Sequence, residues 1–221
     1  PIAEIMRALS QPIGTKRLSE IAKEGDRVAI VVDDVTRPAP SHLMVPPILE
    51  ELNMAGVKDE DVTVIFGCGT HRAVTDEEAK RLLGEEVISR VRVVNHDCKS
   101  SECVYIGTTK THGNKIYINK IFAEADVKIL TGDIGLHYYA GYGGGRKSVL
   151  PGVSSFETIQ KNHAMLLHKN SRMGNLEGNP VHEDMMEAAK LAKVDFILNV
   201  VLNSRGEIVK AFAGDLEQAF Y

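Results

Sequence analysis

Short apolar runs recur along this chain, and several close on acidic residues or glycine. Segment 27–34, RVAIVVDD, is almost continuously apolar until two aspartates end it. Such a run predicts a strand buried on both faces of a parallel sheet, with its carboxyl end meeting solvent. DVTVIFGCG at 61–69, VRVVNHD at 91–97 and DVKILTGDIG at 126–135 repeat the pattern. Between the first two, HLMVPPILEELNMAG reads as a helix closed by Gly56. Thr75 and Glu78 form the S/T-x-x-E capping box that opens a further helix, DEEAKRLLG. SSFETIQKNHAMLLHK and PVHEDMMEAAKLAK also read as helices, the second with Pro180 in its first turn. Two hairpins are expected: YIGTT with KIYIN around His112-Gly113-Asn114, and DFILNVVLN with EIVKAFAG around Ser204-Arg205-Gly206.

Strand and helix in alternation predict an α/β fold: a doubly wound, mostly parallel sheet with helices on both faces, Rossmann-like, plus the two hairpins. No internal repeat or linker divides residues 1–221, so one domain is the economical reading. Ligands of such sheets bind beyond the carboxyl ends of the strands. Three polar loops leave those ends: Asp33–Pro40, Gly67–Thr75 and Gly132–Gly152.

In the first loop, Arg37 can present a fork to a carboxylate while Asp34 orients a neighbour; the plainer alternative is a local Asp34–Arg37 pair. In the second, Gly67 and Gly69 turn the chain so that His71 and Arg72 stand at the sheet edge, where His71 suits acid–base work. Cys68 follows an apolar run directly and is expected to pack. The third, GDIGLHYYAGYGGGRKSVLPG, is too long and irregular for a mere connection. It fails as a phosphate-binding P-loop, because Arg146 stands where that motif needs its second glycine and Pro151-Gly152 delay the helix beyond Lys147. Few apolar neighbours offset the cost of ordering its glycines, so residues 138–148 are expected to be mobile until a ligand draws their N–H groups toward it.

Composition narrows the field. Lys and Arg number 26 against 30 Asp and Glu, a net charge of −4, so no basic surplus exists to bind nucleic acid. No apolar run approaches the ~18 residues of a membrane span, and the opening PIAEIMRALSQPIG lacks a signal-peptide layout. Three cysteines are too few for a disulfide scaffold and point to reduced thiols in a cytoplasmic setting. The chain opens on Pro1 and closes on GDLEQAFY, which reads as a helix just beginning, so a piece of a longer protein is expected. Among the eight histidines, His163 and His168 lie about 140° apart around a helix and cannot form a metal-binding pair. His96 with Cys98 and Cys103 matches no standard zinc spacing and reads as structural. His42 and His112 read as loop residues, and His182 as part of a helix start.

Taken in order, DDVTRP, GTHRAVT, HYYAGYGGGRKSVLPG, NHAML and GNPVH resemble the N-terminal domain of the nickel-pincer lactate racemases. The likeness runs from Asp33 to His182, and the long loop with its following histidine is its most specific part. It implies a nickel cofactor, pyridinium-3,5-bisthiocarboxylic acid mononucleotide, tethered to Lys147 within the Gly143-Gly144-Gly145 loop, with His163 as nickel ligand. It further implies His71 and His137 as the acid–base pair, assisted by Asp34 and Arg37, and a 2-hydroxy acid as substrate. Gly143 departs from the serine many relatives carry. A C-terminal domain, absent here, and cofactor-maturation proteins complete the implied system; the isolated piece would be inactive.

The chemistry is coherent on its own terms. A 2-hydroxy acid has a C2–H too weakly acidic for imidazole, but imidazole can take the hydroxyl proton as hydride leaves C2. Either enantiomer must serve, so two bases near neutrality are needed. The expected arrangement puts His71 and His137 across one cleft, with Asp34 within reach of His71. Two other readings are a non-catalytic nickel- or nucleotide-binding module of the same fold, and a phosphate-binding transferase using the glycine loop. The first would not need both histidines, and the failed P-loop match weighs against the second.

Overall fold

In the computed structural model, which describes residues 1–221, the run at 28–32 forms the central strand. The elements in order are α1 (Ile2–Ser10), α2 (Leu18–Ile21), β1 (Val28–Val32), α3 (Ser41–Met54), β2 (Val62–Phe66), α4 (Asp76–Arg90), β3 (Arg92–Asn95), β4 (Cys103–Thr108), β5 (Lys115–Asn119) and α5 (Lys120–Ala123). There follow β6 (Val127–Asp133), β7 (Leu136–His137), β8 (Gly141–Tyr142), α6 (Phe156–His163), α7 (Pro180–Leu191), β9 (Phe196–Leu202) and β10 (Ile208–Gly214).

Every residue of β1 is buried, because it sits in mid-sheet with a core on each face. Val28, Ile30 and Val32 face one core, built with Met44, Ile48 and Leu52 of α3 and Leu83 and Val87 of α4. Ala29 and Val31 face the other, built with Ile159 of α6 and Val181, Met185 and Ala189 of α7. The period-2 alternation of a strand thus feeds both layers of a doubly wound fold. The main sheet runs β10-β9-β6-β1-β2-β3, parallel except for β10, which pairs antiparallel with β9. The chain moves outward from β1 through β2 to β3, then crosses back to β6 on the other side. The order therefore reverses between β1 and β6, where the loops leaving these strands separate and leave a crevice.

Local signals account for most boundaries. Thr75 caps α4 by accepting from the Glu78 N–H, and Glu78 returns the bond. The expected stop at Gly84 is only a kink (φ 82°), and the helix resumes to Arg90. Asn179 caps α7 by accepting from the N–H groups of Val181 and His182, so the cap is Asn179 and His182 is free for another task. The helix expected through Lys169 ends at His163 and tightens into a 3₁₀ turn over Ala164–Leu167. The closing GDLEQAFY folds as turns rather than a helix, and brings Phe220 over Arg146 of the glycine loop and the Tyr221 hydroxyl to His182 of α7. Both expected hairpins form: β4–β5 as a separate two-stranded sheet, β9–β10 as the antiparallel edge. No helix is long and apolar enough to cross a membrane.

Candidate active site

The loops after β1, β2 and β6 meet at the reversal point and enclose a cleft of about 230 Å³. Asp34, Arg37, His71, His137, Lys147 and His163 all line it. A second lobe of about 250 Å³ adjoins, lined by Asp33, Asp133, Gly143 and Gly144 and sharing Arg37 and Lys147 with the first. Residues more than 120 positions apart in sequence are thereby gathered around one amine.

Asp34 is 3% exposed, and its Oδ1 accepts from both the N–H (2.8 Å) and the Oγ1–H (2.6 Å) of Thr36. That leaves Oδ2 for His71 Nδ1, at 2.6 Å. A carboxylate can only accept, so neutral His71 carries its proton on Nδ1 and keeps the Nε2 lone pair free. The local Asp34–Arg37 pair does not form: Asp34 is committed to Thr36 and His71, and Arg37 stands in no ion pair, open to a carboxylate. Arg72 is bound away from the cleft by a bidentate contact with Glu78 (2.7 and 2.6 Å).

His137 closes the opposite assignment. Its Nδ1 accepts from the Ala140 N–H at 3.2 Å, so the neutral ring carries its proton on Nε2. Tyr138 stacks on the ring at 4.8 Å and Tyr139 meets it edge-on at 4.6 Å. Burial, reinforced by the cations of Lys147, Arg37 and Arg146, pushes His137 down to about 3. Burial and Lys147 likewise lower His163 to about 4. Lys147 itself is brought down to about 7 by burial and by the charges of Arg37 and Arg146, against the pull of Asp33 and Asp133. Asp33 is raised to about 7 by burial and by Asp133. A lysine amine that sheds its proton near pH 7 and two neutral imidazoles around one cleft give the forms that act as nucleophile, base and metal ligand.

The glycine loop is not held as its sequence suggests. Arg146 is fully buried, and its guanidinium makes five hydrogen bonds: to the carbonyls of Ala140 and Tyr142 (3.0 Å each), Gly143 (2.9 Å) and Gly144 (3.2 Å), and to His182 Nδ1 (3.0 Å). Phe220 covers the guanidinium at 4.3 Å, and the Tyr221 hydroxyl meets His182 Nε2 at 2.8 Å. This corrects the expectation that no interaction offsets the ordering cost of residues 138–148. The backbone donors are also largely engaged: Gly143 N–H bonds the Gly135 carbonyl (2.8 Å) and Gly145 N–H bonds Asn199 Oδ1 (3.0 Å). Gly143 and Gly144 face the second lobe; Gly145 packs against Phe220 and lines neither. A Cβ at Gly143 would stand 2.7 Å from the Asp133 carbonyl oxygen, and one at Gly141 (φ +80°) 2.3 Å from that of Asn175, so both glycines permit close approach of backbone.

Other side chains fall outside the cleft or only support it. Cys68 is 1% exposed, its thiol is pushed up to about 11 mainly by burial, and it packs as expected. His96 is sealed between the Ser154 carbonyl (2.8 Å) and Asn119 (3.2 Å). His42 lies exposed on α3 rather than in a loop, His112 reaches Glu183 (3.2 Å), and His168 is exposed and away from the cleft. Asp33, Asp133 and Arg146 were not singled out from sequence. Asp33 stands one residue before Asp34 in the same strand-end loop, and that position was the available signal.

A family model described as "Lactate racemase N-terminal domain" matches residues 1–174. The chain is 42% identical over 217 residues to a lactate racemase of Thermoanaerobacterium thermosaccharolyticum and 40% identical over 218 residues to one of Lactiplantibacillus plantarum. Each alignment takes in 97% of this chain and 51% of the relative, so the chain spans about half the length of the curated relatives it matches. Among solved structures, the lactate racemase apoprotein of T. thermosaccharolyticum superposes with a TM-score of 0.92 at 41% identity, over 99% of this chain and 53% of that one. A Thermotoga maritima protein superposes with a TM-score of 0.77 at 25% identity, over 96% of this chain and 54% of that one.

Proposed function

Since this chain belongs to the lactate racemase N-terminal domain family, we propose that it is the single α/β catalytic unit of a longer two-domain racemase or epimerase acting on a lactate-like 2-hydroxy acid. The observation that carries this reading is the convergence of His71, His137, Lys147 and His163 on one cleft, with Asp34 bonded to His71.

The residues suit a nickel-pincer nucleotide. No group of three or more His, Cys, Asp or Glu side chains is placed to hold a metal ion. A metal bound at His163 would take its other ligands from outside these side chains, and a nickel-pincer nucleotide would supply them. Lys147, lowered to about 7, has a large neutral fraction at neutral pH, the form a covalent tether requires. When bound, this group supplies nickel and the acceptor for a hydride.

The chain's own residues then divide the work. Arg37 binds the substrate carboxylate as a fork and fixes which way C2 faces. His71, its Nε2 lone pair set by Asp34, removes the hydroxyl proton as hydride leaves C2, and a planar keto acid results. For hydride to return to the other face, His137 enters as the imidazolium, which releases its Nδ1 contact with the Ala140 N–H. It gives a proton to the carbonyl oxygen and is left neutral; for the other enantiomer neutral His137 is the base and protonated His71 the acid. Tyr138 and Tyr139 hold the His137 ring in place. The remainder of the longer protein would close over the cleft and exclude water. Maturation proteins would deliver the cofactor in a reducing, cytoplasmic setting, where the three free thiols are stable.

The test uses the matured full-length enzyme, assayed for racemisation of a panel of chiral hydroxy acids alongside intact mass and nickel content. His163→Ala should keep the lysine adduct and lose nickel, and Lys147→Ala should lose both. An adduct persisting on another residue in Lys147→Ala would refute the tether.

A further inference from the structure

Behind His163 lies a buried polar chain that the proposed chemistry does not itself require. Asn162 and Asp184 are each 0% exposed. Asn162 Nδ2 donates to Asp184 Oδ2 (2.9 Å) and to the Val181 carbonyl (3.2 Å). Both partners can only accept, so the amide cannot be turned round: its NH₂ faces α7 and its Oδ1 faces the His163 ring. Oδ1 lies 3.1 Å from His163 Nδ1 and can only accept, so Nδ1 must carry the proton. Asp184 is held in turn by Thr109 Oγ1 (2.7 Å) and Asn114 Nδ2 (2.9 Å), and it forms no ion pair. Tyr139 meets the His163 ring edge-on at 5.4 Å and limits its rotation from the cleft side.

We propose that Asn162 and Asp184 are positioning residues for His163, fixing the Nδ1–H tautomer so that Nε2 offers its lone pair as the ligand atom. The usefulness of this device rests on the reading of His163 as a metal ligand, but the tautomer itself does not. A free neutral histidine prefers the opposite form, with the proton on Nε2, so the arrangement makes a distinctive claim. A burial that merely tied the β4–β5 hairpin to α6 and α7 would have no reason to select one ring nitrogen.

The tautomer is read from two-bond ¹H–¹⁵N spectra of the metal-free protein labelled with ¹⁵N-histidine, above the titration range of the ring and assigned by the signals missing in His163→Gln. The wild type should show His163 protonated on Nδ1 alone; protonation on Nε2, or a mixture, would overturn the proposal. Asn162→Ala and Asp184→Ala should each release the ring to a mixture, whereas Asp184→Asn, which can still accept from Asn162, should retain Nδ1–H. The Ile159 carbonyl one turn back also hydrogen-bonds the His163 ring, so a folded Asn162→Ala protein that kept Nδ1–H alone would show that this carbonyl suffices, and the assignment to Asn162 would fall. In the matured enzyme, Asn162→Ala should weaken nickel retention roughly 10–100-fold at constant adduct. Nickel absent from the wild type, with the tautomer as stated, would count against the ligand role of His163 and leave the positioning intact.

Discussion

Asp34 and His71 meet at 2.6 Å, and the bond decides the form of the imidazole as well as its place. Thr36 occupies the other carboxylate oxygen through two donors, so Asp34 cannot swing away. Asp34 is buried while the His71 side chain is 44% exposed, so an inward anchor holds a ring that reaches the cleft.

Asp34→Asn tests this directly. Its amide oxygen would stay with the two Thr36 donors, which leaves NH₂ toward His71 Nδ1. That nitrogen must then accept, the ring proton moves to Nε2, and the base is lost with little change in shape. Turnover of the matured enzyme should fall roughly 10²–10⁴-fold while the melting temperature stays close to wild type. A loss of stability with unchanged turnover in the folded fraction would make Asp34 structural.

The three strand-end loops were legible because a parallel strand buried on both faces must be continuously apolar, so its polar end announces itself. Asp34 and His71 follow from that rule together with residue type, whereas Lys147, His137 and His163 were singled out only through the family resemblance. Arg146 did not, because hydropathy counts arginine as surface. It can be buried here only because a run of glycines leaves four carbonyls converging on one point. His182 was misread for a related reason: Asn179 beside it satisfies the helix end, and the ring's partners, Arg146 and Tyr221, lie 36 and 39 positions away. Contacts at such separations leave no periodic trace.

Lys147, lowered to about 7, should be the most readily acylated lysine at neutral pH. Competitive labelling with a small anhydride, read by peptide mass spectrometry, should give a reactivity profile with its midpoint near 7 rather than near 10. Asp33 pulls the amine's affinity for protons upward, so Asp33→Asn should move the midpoint lower still. A midpoint above 9 in the wild type would show that burial does not activate this amine.

Acid should expose the cost of keeping imidazoles neutral. His137 and His182 are lowered to about 3 and His163 to about 4, in each case first by burial. At pH 5 the unfolded chain binds a proton on each of the three and the folded chain does not. Unfolding therefore takes up protons, and stability is present above the unfolded value near 6.5 and lost as pH falls toward 3–4. His182→Gln should remove about one proton from that uptake, flattening the slope of unfolding free energy near pH 5 by about 1.4 kcal/mol per pH unit. Urea titrations at several pH values would measure it, and an unchanged slope would mean that His182 is charged in the folded protein.

Arg146 makes the strongest claim on the loop. It is a cation without a carboxylate partner, brought down to about 9 by burial and still charged at neutral pH. Four carbonyls and one ring nitrogen replace its water. Arg146→Met keeps a similar stem but strands those acceptors in an apolar setting, at a cost of at least ~3 kcal/mol when several buried groups lose partners together. Arg146→Lys should rescue little, since one ammonium cannot reach acceptors spread around a planar fork. Lys147 follows Arg146 in the chain, so loosening the clamp should also loosen the amine. In hydrogen exchange, amides 140–148 should lose protection in Arg146→Met well before the sheet does, and Lys147 should drift toward ordinary lysine reactivity as water reaches it. If those amides exchange equally fast in wild type and variant, the loop takes its shape from elsewhere, and the guanidinium does not hold it.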